Sequence, residues 1–393
     1  MTELPLFATS LMGSLPRSKT LLSALRQHRK GLLSDLDFAQ QVEQATAAVI
    51  ALQEQWGVDI ITSGELGRDN YVSFVADRLT GVTMMDMGQM LDYIEDKKAF
   101  EQILTTLDVP AVSIKNAICN GKLGYRPEGI SLPELQMMQR HTNRPLKITL
   151  PGPYLMTRSM WLSGLSSQAY DSKEALGQDV VTLLMQEIDA LQRLGVEIIQ
   201  FDEPVLTEVI FTEGKPRSFM CAALSERKDP TEELLFAASL LKPVLEHVAK
   251  GSARAALHVC RGNWSRDESI LLEGPYSPLL ELFNTVAAPL LELEFSTPRA
   301  GDLTALIQDN RWPRQTTLGL GVINPRSDEV ESVQAIVSRV EEALRWLVPE
   351  QILLVPDCGF ATFANRPVNH YQVIEQKVTA MVAAAQVLRQ RYG

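Results

Sequence analysis

The sequence predicts an α/β fold closed into a (β/α)₈ TIM-type barrel with a long insertion after the second strand. Three observations carry that expectation. Eight short β-like runs are spread along the 393 residues. Helical periodicity fills most of the intervals between them. Polar side chains recur at or just past the C-terminal ends of the runs, the place where a parallel barrel gathers its active site.

The runs are 7–13 (FATSLMG), 58–65 (VDIITSGE), 146–152 (LKITLPG), 196–204 (VEIIQFDEP), 254–260 (RAALHVC), 290–296 (LLELEFS), 316–323 (TTLGLGVI) and 352–359 (ILLVPDCG). Helices are expected over 173–194, ended by Gly195, over 231–250, and over 327–347 with SDEV as an N-terminal capping signal. The stretch 66–145 reads as the insertion, and its β-like run 111–119 (AVSIKNAIC) is placed outside the barrel. A doubly wound open sheet is the competing architecture. No repeat or Pro/Gly linker divides the chain, so 1–393 is read as one domain.

The composition is 45% hydrophobic and 22% charged, with a formal net charge of −11. A nucleic-acid role is disfavoured, because no basic tract is present. No apolar run reaches the roughly 20 residues needed to span a bilayer. The N-terminus lacks a signal peptide's basic start and apolar core, so a cytoplasmic protein is expected. Cys119, Cys221, Cys260 and Cys358 are too few and too scattered for a disulfide framework. Inert core thiols, metal ligands or a nucleophile remain.

The candidate site residues at strand ends are Ser14, Glu65, Asp202, Cys260, Glu294 and Cys358. His258 and Cys260, at i and i+2, share one face of a strand. Cys358 follows another strand in VPDCGF. An acid inside the apolar run LLELEFS is costly unless paired or bound to a cation, and either Glu294 or Glu292 fills that description. One histidine, two thiolates and one carboxylate would satisfy tetrahedral Zn²⁺. In QFDEPVL, Asp202 and Glu203 stand between an apolar strand and Pro204, either as solvated acids or as a seat for a substrate ammonium; Glu65 in SGELGRDN offers the same. The Gly13–Ser14 turn can hold a carboxylate through its backbone. LGLGVI is not a dinucleotide fingerprint, since Asn324 stands where the last glycine should be.

In order, MGSLPR, SGELGRDN, PGPY, FDEPVL, HVC, LEFS and PDCG resemble the catalytic C-terminal half of the cobalamin-independent methionine synthase family, from about residue 7 to about 375. The resemblance implies a (β/α)₈ barrel and a zinc ion held by His258, Cys260, Glu294 and Cys358. It implies homocysteine as substrate, its amino group met by Asp202 and Glu65 and its carboxylate beside Ser14 of the first turn, with Met12 also substrate-binding. Trp161 offers a stacking surface for a pterin, or is simply a core or lid aromatic. The implied partners are homocysteine and a methyl donor, methyltetrahydrofolate or another carrier, with an accessory protein as an option and neither nucleic acid nor membrane.

Two departures shape the expectation. The intact synthases carry a second, N-terminal barrel for which this chain has no room. Their catalytic histidine after the seventh strand is replaced by VINPRS, leaving His370 as the histidine nearest in sequence to serve as an acid. The rivals are alkylation of another thiol, such as coenzyme M by an epoxide, a metal-free barrel like uroporphyrinogen decarboxylase, and a barrel whose zinc is only structural.

Overall fold

The computed structural model describes residues 4–93, 115–211, 229–263 and 265–393. Cys221 and positions 111–114 of the expected run lie outside them. Six strands form a parallel sheet in sequence order: β3 (Lys147–Pro151), β4 (Ile198–Asp202), β5 (Arg254–Val259), β6 (Leu290–Glu294), β7 (Thr317–Ile323) and β8 (Ile352–Pro356). The antiparallel hairpin β1 (Leu79–Asp86) and β2 (Lys115–Tyr125) lies outside this sheet, in the expected insertion.

Two further staves close the ring. Thr9 bridges Leu354, Ser10 bridges Ile60 and Ile61 bridges Leu146, all in parallel. The main-chain bonds Leu354 N–H to Ala8 O (3.0 Å), Ile60 N–H to Thr9 O (3.0 Å) and Lys147 N–H to Ile61 O (2.9 Å) carry the seam. All eight expected runs are therefore staves, and the open-sheet alternative is excluded. The first two are held by single bridges rather than ladders.

The barrel interior is layered by the two-residue period of its strands. Ala8, Ile60, Ile198, Ala256, Leu290 and Leu353 form one apolar layer. Two residues further along β6 is Glu292, which accepts a 2.9 Å hydrogen bond from Lys147 Nζ with both side chains fully buried. Gly319 makes room for it, because a Cβ there would collide with the Glu292 side chain. Two residues further again come Asp202 and Glu294, with His258 aligned on Asp202 across the β4–β5 ladder. Lys147→Met alone should destabilise the fold by about 3–5 kcal/mol, because it strands a buried carboxylate. Adding Glu292→Leu should restore most of that loss in urea melts. A double variant as unstable as the single one would show that the cost lies in packing, not charge.

The helices Lys173–Arg193 and Pro230–Val248 agree with expectation. The third does not: it runs only over Val333–Ala343, capped by the Ser332 hydroxyl. The SDEV segment stays outside it: Lys377 Nζ donates to the Glu329 carbonyl, and Glu331, the next residue but one, accepts from Lys377 Nζ (3.0 Å) and from the Asn324 N–H (2.8 Å). Among the described residues no helix is long and apolar enough to cross a membrane.

Candidate metal centre and substrate pocket

β5 turns His258 into the barrel and delivers Cys260 just past its end. Cys358 arrives on the turn after β8. One donor atom from each lies within 4.8 Å of the others, and all three residues are buried. The imidazole is oriented by its neighbour strand: His258 Nδ1 lies 2.7 Å from Asp202 Oδ1. A carboxylate there requires the proton on Nδ1, which leaves the Nε2 lone pair for a ligand. Asp202 Oδ1 also accepts from Gln200 Nε2 at 2.7 Å, and the same amide reaches the Met12 carbonyl at 3.0 Å. Burial alone would lower the imidazole pKa, but the Asp202 hydrogen bond and the charges of Cys260 and Asp202 outweigh it and push it up to about 9, so a metal ion takes the place of an Nε2 proton that faces the Asp357 carbonyl at 3.4 Å.

The two thiols share a hydrogen bond that splits their acidities. It draws Cys260 below the usual thiol range and, with burial, pushes Cys358 well above it. The pair therefore favours one thiolate beside one thiol, and a cation can take the place of the shared proton. Two sulfurs and an oriented imidazole in a buried space fit a metal ion of intermediate softness.

Of the two acids on β6, Glu292 is committed to Lys147, one layer below. Glu294 stands at the level of the thiols, near enough for its charge to oppose ionisation of Cys260. It belongs to a polar cluster rather than to the three-donor group, with Oε2 accepting from Arg299 (2.9 Å) and Oε1 facing Arg326 NH1 (3.4 Å). Asp357, beside Cys358, accepts from the main-chain N–H of Phe295 (3.1 Å) and Ser296 (3.0 Å) and from the Ser296 hydroxyl. Burial pushes its carboxyl up to about 6.

On the opposite side the first two turns form an acidic seat. Glu65 is buried and adopts a left-handed backbone (φ 56°). Its Oε1 accepts from Thr149 Oγ1 at 2.7 Å, with Arg68 NH1 at 3.7 Å. Gly13 (φ 152°) passes against this carboxylate, where a Cβ would overlap Glu65 Oε1. Burial pushes the Glu65 carboxyl up against the pull of Arg68, and the Asp202 charge adds to the effect. Two buried acids that feel each other suit a cationic group between them. Ser14 is buried and its Oγ accepts from the Ala361 N–H at 3.3 Å. A side chain at Gly359 would strike that oxygen, so the glycine of PDCG seats the first turn on the last. Met12 is buried, and its contact with the network is through its carbonyl.

Trp161, His370 and Asn324 remain to be placed. Trp161 is the C-cap of the helix Pro153–Met160, partly buried against the core. His370 is exposed at the N-cap of the last helix, Tyr371–Tyr392. Among the described residues no hydrogen bond ties its ring to the thiols. Asn324 donates to Glu268 Oε1 (2.7 Å) and accepts from the Arg326 N–H (3.0 Å), which makes it a turn residue.

Glu203 is not the solvated acid that one reading of DEP allowed. Fully buried, it accepts the N–H groups of Tyr154 (2.8 Å) and Leu155 (2.9 Å) at the start of the PGPY helix. Burial outweighs those bonds and pushes its carboxyl from 4.5 up to about 8. Between these values the folded state binds more protons than the unfolded one, so this stabilisation falls as pH rises through about 8. Glu203→Gln should flatten the decline of Tm between about pH 5 and 8; an unchanged slope would show that the carboxyl titrates normally.

Residues 7–387 match the family described as the cobalamin-independent synthase, catalytic domain. The chain is 25% identical to the methionine synthase of Thermococcus kodakarensis over 98% of its own length and 95% of the relative's. With the methionine synthase of Saccharolobus solfataricus it shares 26% identity, covering 99% and 97% of the two chains. It is also 26% identical to the 5-methyltetrahydropteroyltriglutamate–homocysteine methyltransferase of Herpetosiphon aurantiacus, over 98% of this chain but only 44% of that protein. In fold it resembles a B12-independent methionine synthase from Shewanella sp. W3-18-1, solved with selenomethionine (TM-score 0.71, 19% identity, 98% of each chain). With the motifs HVC, LEFS and PDCG all inside the matched span, the chain belongs to the catalytic-domain family of the cobalamin-independent synthases.

Proposed function

We propose that the protein transfers a methyl group to the thiol of homocysteine, forming methionine, and that zinc is the ion its thiol centre holds. The observation that carries this reading is the convergence of His258, Cys260 and Cys358 on one buried spot, facing the acidic seat of Glu65 and Asp202. A free thiol of pKa about 8.5 is largely protonated at neutral pH. Zinc lowers the pKa of a bound thiol and presents it as a thiolate. The proposed ligands are His258, Cys260, Cys358 and Glu294, the last released from its arginines for that purpose.

The chain's own residues do the rest. Asp202 orients the imidazole with one oxygen and, with Glu65, receives the substrate ammonium. Met12 and Ser14 line the turn that takes the carboxylate, and Trp161 offers a face to the donor. The S–CH₃ bond forms as the donor's bond to the methyl group breaks. A tetrahydrofolate donor leaves an amine that must be protonated at N5, whereas a corrinoid keeps the electron pair on cobalt. With His370 exposed and Asn324 engaged in its turn, we assign neither to proton delivery. A donor other than the free folate, or one presented by an accessory protein, fits these residues better.

The test supplies zinc-loaded protein and homocysteine with methyltetrahydrofolate triglutamate or a methylcorrinoid protein, and measures methionine by mass spectrometry. Methionine from the corrinoid arm, with folate turnover well below about 1 s⁻¹, is expected. No methionine from either arm would refute the function; fast turnover with free folate would refute the donor preference.

A further inference from the structure

Four barrel loops meet at a single buried cation. The Arg326 side chain, just past β7, is 0% exposed. Its Nε donates to Glu268 Oε1 (3.1 Å) in the β5 loop, NH1 faces Glu294 Oε1 (3.4 Å) at the end of β6, and NH2 faces Asp357 Oδ2 (3.4 Å) after β8. NH1 also faces Asn263 Oδ1 at 3.4 Å, and Asn263 in turn donates to the Gly359 carbonyl beside Cys358. No carboxylate receives a paired fork; each nitrogen faces a different carboxylate. Burial alone would weaken this cation, yet the acids and Cys358 around it hold its proton more firmly than usual.

The charges explain why a cation belongs here. Arg299 and Arg326 balance Glu294 and Asp357, while Glu268 is partly solvated and counts for less. A divalent ion balances two cysteine thiolates. The loaded centre is then close to neutral, and a substrate thiolate adds one negative charge. Without Arg326, that charge would enter a centre already negative.

We propose that Arg326 is a positioning residue that sets the charge of the thiol centre, so that a substrate thiolate can join it; this rests on the thiol-alkylating reading above. The test uses the full chain loaded with Co²⁺, whose thiolate charge-transfer absorption reports each sulfur. Arg326→Gln should retain the two-cysteine band, while the homocysteine concentration giving half of the added band rises about tenfold or more, the effect expected of one nearby opposite charge. Arg326→Lys, which keeps the charge but loses the fork, should stay within about threefold of the parent.

An unchanged midpoint in Arg326→Gln would overturn the proposal, as would loss of the two-cysteine band in a protein that still folds. If Arg326→Gln does not fold, a folded Arg326→Lys weakened about tenfold or more would overturn it, because bridging rather than charge would then matter. A parent that adds no band with homocysteine would sink the functional reading instead. The same titration with 2-mercaptoethanol would then decide the role of Arg326.

Discussion

Cys358→Ser leaves the barrel folded and removes its metal and its methyl-transfer activity together. The residue lies on a turn after β8, outside the apolar layers that hold the staves, so its sulfur contributes little to the core. Its loss takes one donor from the group of three and leaves Cys260 without the hydrogen bond that lowers its pKa. Structural zinc sites bind with about 10–16 kcal/mol, so one ligand of four is worth roughly 3 kcal/mol, about a hundredfold in affinity. Metal analysis after dialysis, beside far-UV circular dichroism and a thermal melt, checks this. A folded variant with full metal content would remove Cys358 from the centre, and the same result for Cys260→Ser would remove the thiol pair.

Asp202→Asn should fail in two measurements at once. The sequence suggested a substrate role for Asp202. The register adds a second, because Asp202 lies directly opposite His258 and holds its Nδ1. Losing the carboxylate behind a metal-bound histidine typically costs ten- to a hundredfold in metal affinity. Losing a charge-assisted bond to the ammonium costs about 1.5–3 kcal/mol, again roughly ten- to a hundredfold in homocysteine affinity. Chelator competition reads the first and the homocysteine KM, at saturating metal, reads the second. Glu65→Gln separates them, since it should raise KM and leave metal binding alone. Unchanged KM in both variants would point to a thiol substrate without an amino group.

The barrel was legible because its strands are short, nearly continuous apolar runs whose C-terminal ends turn polar, a pattern that parallel packing imposes on both faces. His258, Cys260 and Cys358 were legible for the same reason: thiols and imidazoles at strand ends in a fold that gathers those ends. The helix start near 332 was not, because Glu331, the residue after SDEV, is held by Lys377, a contact from the last helix. Arg326, Asp357 and Gln200 were missed. Each acts across strands far apart in sequence, and such pairing leaves no local pattern. Gln200 did carry a signal, standing two residues before Asp202 and so on the same inward face. Lys147 in LKITLPG carried another, a lone cation in a buried strand that requires an acid elsewhere.

The substrate thiol is expected to join the Cys260–Cys358 centre. X-ray absorption at the zinc edge, recorded with and without homocysteine, reads it directly. Two sulfur ligands are expected in the protein alone and three with homocysteine. A sulfur count that stays at two when homocysteine saturates the protein would contradict it.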